Sequence, residues 1–114
     1  MSTYVFIQSR DPFSSRDPDF LEETAIAAKE RGHEVTVFLV QNGVFAARAG
    51  AHRLDRLIDT GVTLLADDLS LRERGITAEE IVTGVQEAGI SALVDAVTQK
   101  NTICCVTVTP YLLY

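Results

Sequence analysis

The stretch Gly61-Val62-Thr63-Leu64-Leu65-Ala66-Asp67-Asp68-Leu69-Ser70-Leu71-Arg72-Glu73-Arg74-Gly75-Ile76 reads as a buried strand that delivers its C-terminal end into a helix. Gly61 closes the element before it, Val62 to Ala66 is the apolar run, and the two carboxylates lead into a short amphipathic turn that ends at Arg74-Gly75. A strand without polar alternation belongs in a sheet covered on both faces. In such sheets the carboxyl ends of the strands are where ligands are usually met, and Asp67 and Asp68 stand at that end.

Working outward, the same grammar repeats. Tyr4-Val5-Phe6-Ile7 is a β-rich apolar run that breaks at Gln8-Ser9 and predicts the first strand. A polar loop from Ser9 to Asp19 follows, in which Asp17 is placed to cap a helix with Pro18 at its first position. From Phe20 to Arg31, Leu21, Ala25 and Ala28 make one helical stripe, and Gly32 closes it. Val35 to Val40 is the second buried strand. Gln41-Asn42-Gly43 is its terminal turn, Val44 to Ala51 a helical turn or two, and His52 to Thr60 an amphipathic helix.

Beyond Gly75, Thr77 with Glu80 forms a capping box, with Ile76 placed to staple against Ile81, which predicts a helix to about Ala88. A short helix over Ser91 to Gln99 and a last, central strand over Thr102 to Thr109 complete the pattern. The apolar tail Tyr111 to Tyr114 is expected to pair with the sheet as a fifth strand or to meet a second subunit. Right-handed crossovers then give a three-layer α/β/α, flavodoxin-like domain with a mostly parallel sheet of four or five strands. Ser9 to Pro12, Gln41 to Val44 and Ala66 to Leu69 should share one rim.

Composition narrows the class. A chain of 114 residues suffices for one core, so residues 1–114 are read as a single domain. Acidic residues outnumber basic ones by 16 to 10, and the basic ones are scattered, which argues against nucleic-acid binding. No apolar run approaches the roughly 20 residues of a membrane helix, and no basic-then-apolar leader opens the chain, so the expected location is cytoplasmic. No metal site or cofactor is expected. Cys104 and Cys105 are adjacent, a poor geometry for a mutual disulfide, and lack the second pair that zinc needs.

Two segments resemble the DsrE/DsrF-like family of small sulfur-relay proteins. One is Arg31-Gly32-His33-Glu34-Val35-Thr36-Val37-Phe38 with Asn42-Gly43-Val44; the other is Leu57-Ile58-Asp59-Thr60-Gly61-Val62 through Leu71-Arg72-Glu73-Arg74-Gly75-Ile76. The resemblance implies a DsrE-like fold and a habit of forming homo-oligomers. It also implies that sulfur-transferring members carry a cysteine at the position of Asp67, where a carboxylate cannot hold a persulfide. A binding or assembly partner in sulfur metabolism is therefore the first expectation, and sulfur relay through Cys104 or Cys105 is the alternative.

Each candidate residue also has a structural reading. Asp67 or Asp68 can cap the turn containing Ser70 and Leu71, or can serve a ligand-binding rim with Ser9, Asn42 and Gly43 that takes a small molecule or a cation. The structural reading is preferred. Cys104 and Cys105 in a central strand would be small hydrophobes, with no helix N-terminus or cation nearby to activate a thiolate. His33 and His52 read as boundary residues, and Arg72 and Arg74 as a solvated helix face. A phosphorylated receiver domain is excluded by the missing acidic pair after the first strand and the missing lysine after a later one.

Overall fold

A computed structural model describes residues 2–13 and 16–106. Five strands, β1 (Thr3–Gln8), β2 (Glu34–Leu39), β3 (Thr63–Asp67), β4 (Val85–Ala88) and β5 (Thr102–Val106), form one sheet in the order β4-β3-β2-β1-β5. All four pairings are parallel. Between them lie helices α1 (Asp17–Glu30), α2 (Asp55–Thr60), α3 (Asp68–Glu73) and α4 (Ile90–Val97), and a 3-10 segment over Gln41–Ala47. The expected parallel α/β architecture is the one found.

Register and pattern together divide the sheet into two faces. Phe6, Val37 and Leu64 are cross-strand partners, so they share a face, and all three join the main core with Leu21, Ala25, Leu57 and Leu71. Helices α1, α2 and α3 and the 3-10 segment therefore cover this side. The alternate residues Val5 and Phe38 are fully buried but stand outside that cluster, on the opposite face. The connection from β4 to β5 passes through α4, which packs on those two strands. None of the residues of α4 is buried, and Ile90 and Val94 are largely exposed.

Two element ends show why the boundaries fall where they do. Helix α2 ends at Gly61, whose φ of 87° is the left-handed turn that glycine adopts without a Cβ penalty. Helix α1 begins at Asp17, so the aspartate expected as its cap lies inside the helix and Pro18 falls in its first turn. The amphipathic segment expected from His52 is helical only from Asp55.

The segment after Gly75 differs most from expectation. The capping box forms, with Thr77 N–H and Oγ1 both donating to Glu80 Oε1 at 3.0 and 2.9 Å, but the turn it caps runs only over Ala78–Glu80. The chain then leaves the helix and becomes β4, where a helix to Ala88 was expected. Long-range backbone bonds explain the change: Ala49 N–H donates to Glu80 O, and Val82 N–H donates to Ala47 O. The strand that brings the sheet to five is thus β4, Val85–Ala88. The tail strand expected at Tyr111 to Tyr114, and the last strand beyond Val106, lie outside the described residues.

The Thr77 backbone N–H, and then its hydroxyl, hold the Glu80 carboxyl below the ordinary glutamate range. A lowered folded-state value stabilises above the unfolded value, and that contribution is lost as pH falls through the folded one. A carboxyl-carbon NMR titration is expected to place the Glu80 midpoint below that of a glutamate in an unstructured peptide, and a midpoint at or above the peptide value rules out the capping box in solution.

Candidate functional site

At the carboxyl ends of β1, β2 and β3 the chain builds a hydrogen-bonded rim. Asp67 closes β3 and caps α3: its Oδ2 accepts from Ser70 N–H at 3.0 Å and from Ser70 Oγ at 2.6 Å. The same Ser70 Oγ accepts from Gln41 N–H at 2.8 Å, which ties the end of β2 to the start of α3. Arg74 fastens the outside, with Nε donating to Asn42 Oδ1 at 3.0 Å and a guanidinium N–H donating to Ser70 O at 3.2 Å. Gly43 is buried directly against the Gln8 backbone, and Val40 N–H donates to the Gln8 carbonyl at 3.0 Å.

The rim therefore brings together Asn42, Gly43, Asp67 and Asp68 as the spacing predicted. Asp68 takes the first position of α3, next to Gly89 at the end of β4. Ser9 follows β1 at the same end, and the Pro12 carbonyl accepts from Arg53. Asp67 is buried, at 9% exposure, and its cap is what a strand feeding straight into a helix requires. Arg74, expected on a solvated face, is instead the strut between Asn42 and Ser70. Its spacing of four from Ser70, one helical turn, was the signal available in the sequence.

The cysteines sit elsewhere. Among the described residues, strand β5 is an edge strand and not the central one expected, because it adds outside β1. Cys104 pairs in register with Val5 and Cys105 with Phe6, short of the strand-end rim. With neighbouring strands about 4.8 Å apart, three spacings put β5 about 14 Å from β3 across the sheet. Cys105 packs against the main core, and Cys104 points to the other face and is exposed. Partial burial of the Cys104 sulfur, and then the neighbouring Cys105, push its pKa above the ordinary thiol range. Its position is open, but its thiol is not activated.

His33 accepts from Ser2 N–H and meets the Tyr4 ring edge-on, a boundary contact as expected. His52 bonds Asp55 at 3.1 Å in an exposed setting. Among the described residues no three His, Cys, Asp or Glu side chains converge as a metal site would need.

A parallel α/β/α sheet with its polar network at the strand ends defines the class. The DsrE/DsrF-like family matches residues 2–104, and the chain belongs to that family. Membership points to a role related to sulfur relay. The chain is 27% identical over 88 residues to an uncharacterized protein of Methanopyrus kandleri, MK0008, covering 69% of this chain and 73% of that one. The fold is similar to the crystal structure of the ychN protein of E. coli, with a TM-score of 0.85, 19% identity and coverage of 94% and 100%. It is also similar to MTH1491 of Methanobacterium thermoautotrophicum, a protein of unknown function, with a TM-score of 0.77, 19% identity and the same coverage. No helix among the described residues is long and apolar enough to cross a membrane.

Proposed function

We propose that this protein is a binding or assembly partner in sulfur metabolism, working as a homo-oligomer without a persulfide carried at the end of β3. The observation that carries this reading is the state of Asp67. A carboxylate offers no sulfur nucleophile, and this one is committed to the Ser70 backbone and hydroxyl. The homo-oligomer is supported by α4, an apolar helix without a single buried residue, and by exposed Leu69 on α3. An apolar helix left uncovered suits a contact face. Two free cysteines on an edge strand fit a reducing, cytoplasmic location.

A second reading, sulfur relay through Cys104, is favoured by that residue's exposure and opposed by its raised pKa. Native and denaturing mass spectrometry after incubation with a persulfide donor separates the two. The expected result is a multiple of the chain mass with no sulfur adduct. An adduct that disappears in a Cys104→Ser, Cys105→Ser variant overturns the first reading, and a monomer at micromolar concentration removes its assembly part.

A further inference from the structure

The turn after β2 carries the pair Asn42-Gly43, in which a side-chain amide precedes a backbone nitrogen whose residue bears no Cβ. In such a pair that nitrogen can attack the side-chain carbon, because nothing on the second residue crowds the approach. The native fold opposes the reaction in three ways. Gly43 N–H donates to the Val40 carbonyl at 2.9 Å and Gly43 is buried, so its nitrogen gives up a proton less readily than it would in water. Both residues lie in the 3-10 segment Gln41–Ala47, and ring closure would need the Asn42 Cβ to eclipse the Gly43 nitrogen, a torsion outside the helical range. The Asn42 side chain is also held, because its Oδ1 accepts from Arg74 Nε at 3.0 Å.

The same turn has a weak point. Gln41, which opens it, has a φ of 50°, in the left-handed region that a residue with a Cβ seldom adopts and that costs free energy to hold. Asn42 is exposed, and the turn is fastened from outside by polar links, Gln41 N–H to Ser70 Oγ and Arg74 to Asn42. A strained, exposed turn of this kind opens at lower cost than the whole molecule unfolds.

We propose that Asn42 is a deamidation site gated by the opening of this turn. In the opened turn the Gly43 nitrogen loses its proton to solvent and bonds to Asn42 Cγ, while the Cγ–Nδ2 bond breaks and the amide nitrogen leaves as ammonia. Water then opens the cyclic imide at either carbonyl carbon. Cleavage at Cγ gives an aspartate at position 42, and cleavage at the main-chain carbon gives an isoaspartate whose backbone runs through the former side chain. The net change is one water consumed and one ammonia released, with nothing oxidised or reduced. The fold then sorts the products. An aspartate oxygen takes the place of the amide oxygen that Arg74 Nε holds, and the neutral acceptor becomes a charged one. An isoaspartate adds a methylene to the main chain just before Gly43, where even a Cβ would lie 2.1 Å from the Gln8 carbonyl oxygen, so the close approach cannot re-form. The inference is independent of the reading of Asp67.

The test incubates the full chain in mildly alkaline buffer, native and in urea, and follows the amide-to-acid mass gain at position 42 by peptide mapping, with hydrogen exchange of the native Gly43 amide measured beside it. The native rate is expected to fall below the rate in urea by about tenfold or more, a factor of the same order as the protection of the Gly43 amide. Arg74→Ala is expected to speed the native reaction and leave the rate in urea unchanged; if that variant does not fold, the wild-type comparison decides. After separation by ion exchange, the aspartate product is expected to keep the Gly43 protection and the isoaspartate product to lose it. Equal rates in buffer and in urea, no reaction in urea, a native rate out of proportion to the Gly43 protection, an unchanged native rate in folded Arg74→Ala, or full protection in the isoaspartate product overturns the proposal.

Discussion

Gly43→Ala is expected to destabilise the protein by about 3 kcal/mol, at the upper end of what overpacking usually does. A Cβ at position 43 would lie 2.1 Å from the Gln8 carbonyl oxygen and 2.9 Å from its carbon. Both are backbone atoms in the sheet, so no rotamer change relieves the clash. The 3-10 segment would have to lift off the end of β1, and the bond from Val40 N–H to the same carbonyl would go with it. Urea unfolding followed by far-UV circular dichroism measures the effect. A loss below about 1 kcal/mol means that Gly43 does not make this close approach in solution.

Asp67→Ala is expected to cost about 2–3 kcal/mol. Loss of an N-cap costs about 1 kcal/mol. The Ser70 N–H is buried and would then lack its acceptor, which adds a penalty of similar size or larger. The Ser70 hydroxyl would also lose the partner that aims its lone pair at Gln41 N–H. Asp67→Asn keeps an acceptor oxygen and is expected to lose only about 1 kcal/mol, so the pair of variants separates capping from charge. Equal losses in the two would show that charge, and not the cap, sets the role of Asp67.

Much of the fold was legible because its signals are local and covered on both sides. The Val35 to Val40 run declared a buried parallel strand, Gly61 a helix end, and the Asp67 to Leu71 spacing a cap, and each is found. The misreading of residues 77–88 has a physical cause. A capping box reports that a helix starts but not how long it runs. Here Ile81, Val82 and Thr83 are β-branched, and Gly84, at φ 109° and packed against Ile58, cannot continue a helix. The bonds that turn this segment into a strand come from residues 47 and 49, far away in sequence.

Strand order was hidden for a related reason. An apolar run such as Thr102 to Val106 looks alike in the centre and at the edge of a sheet, and only the strand order among the described residues puts it at the edge. Of the candidate site, the rim was legible as a set of strand ends. The buried amide of Gln8 was not legible, because burial is a property of the assembled walls and leaves no pattern in the chain.

The place of β1 also bears on how the molecule comes together. Its partners are β2, reached through one helix, and β5, whose Thr102 lies beside Thr3 at nearly the full length of the described chain. Closing the larger loop costs more chain entropy, and contacts of long sequence separation slow folding. The β1-β2-β3 sheet with α1 and α2 can therefore assemble first as a nucleus. β5 then joins last, carrying both cysteines into the sheet.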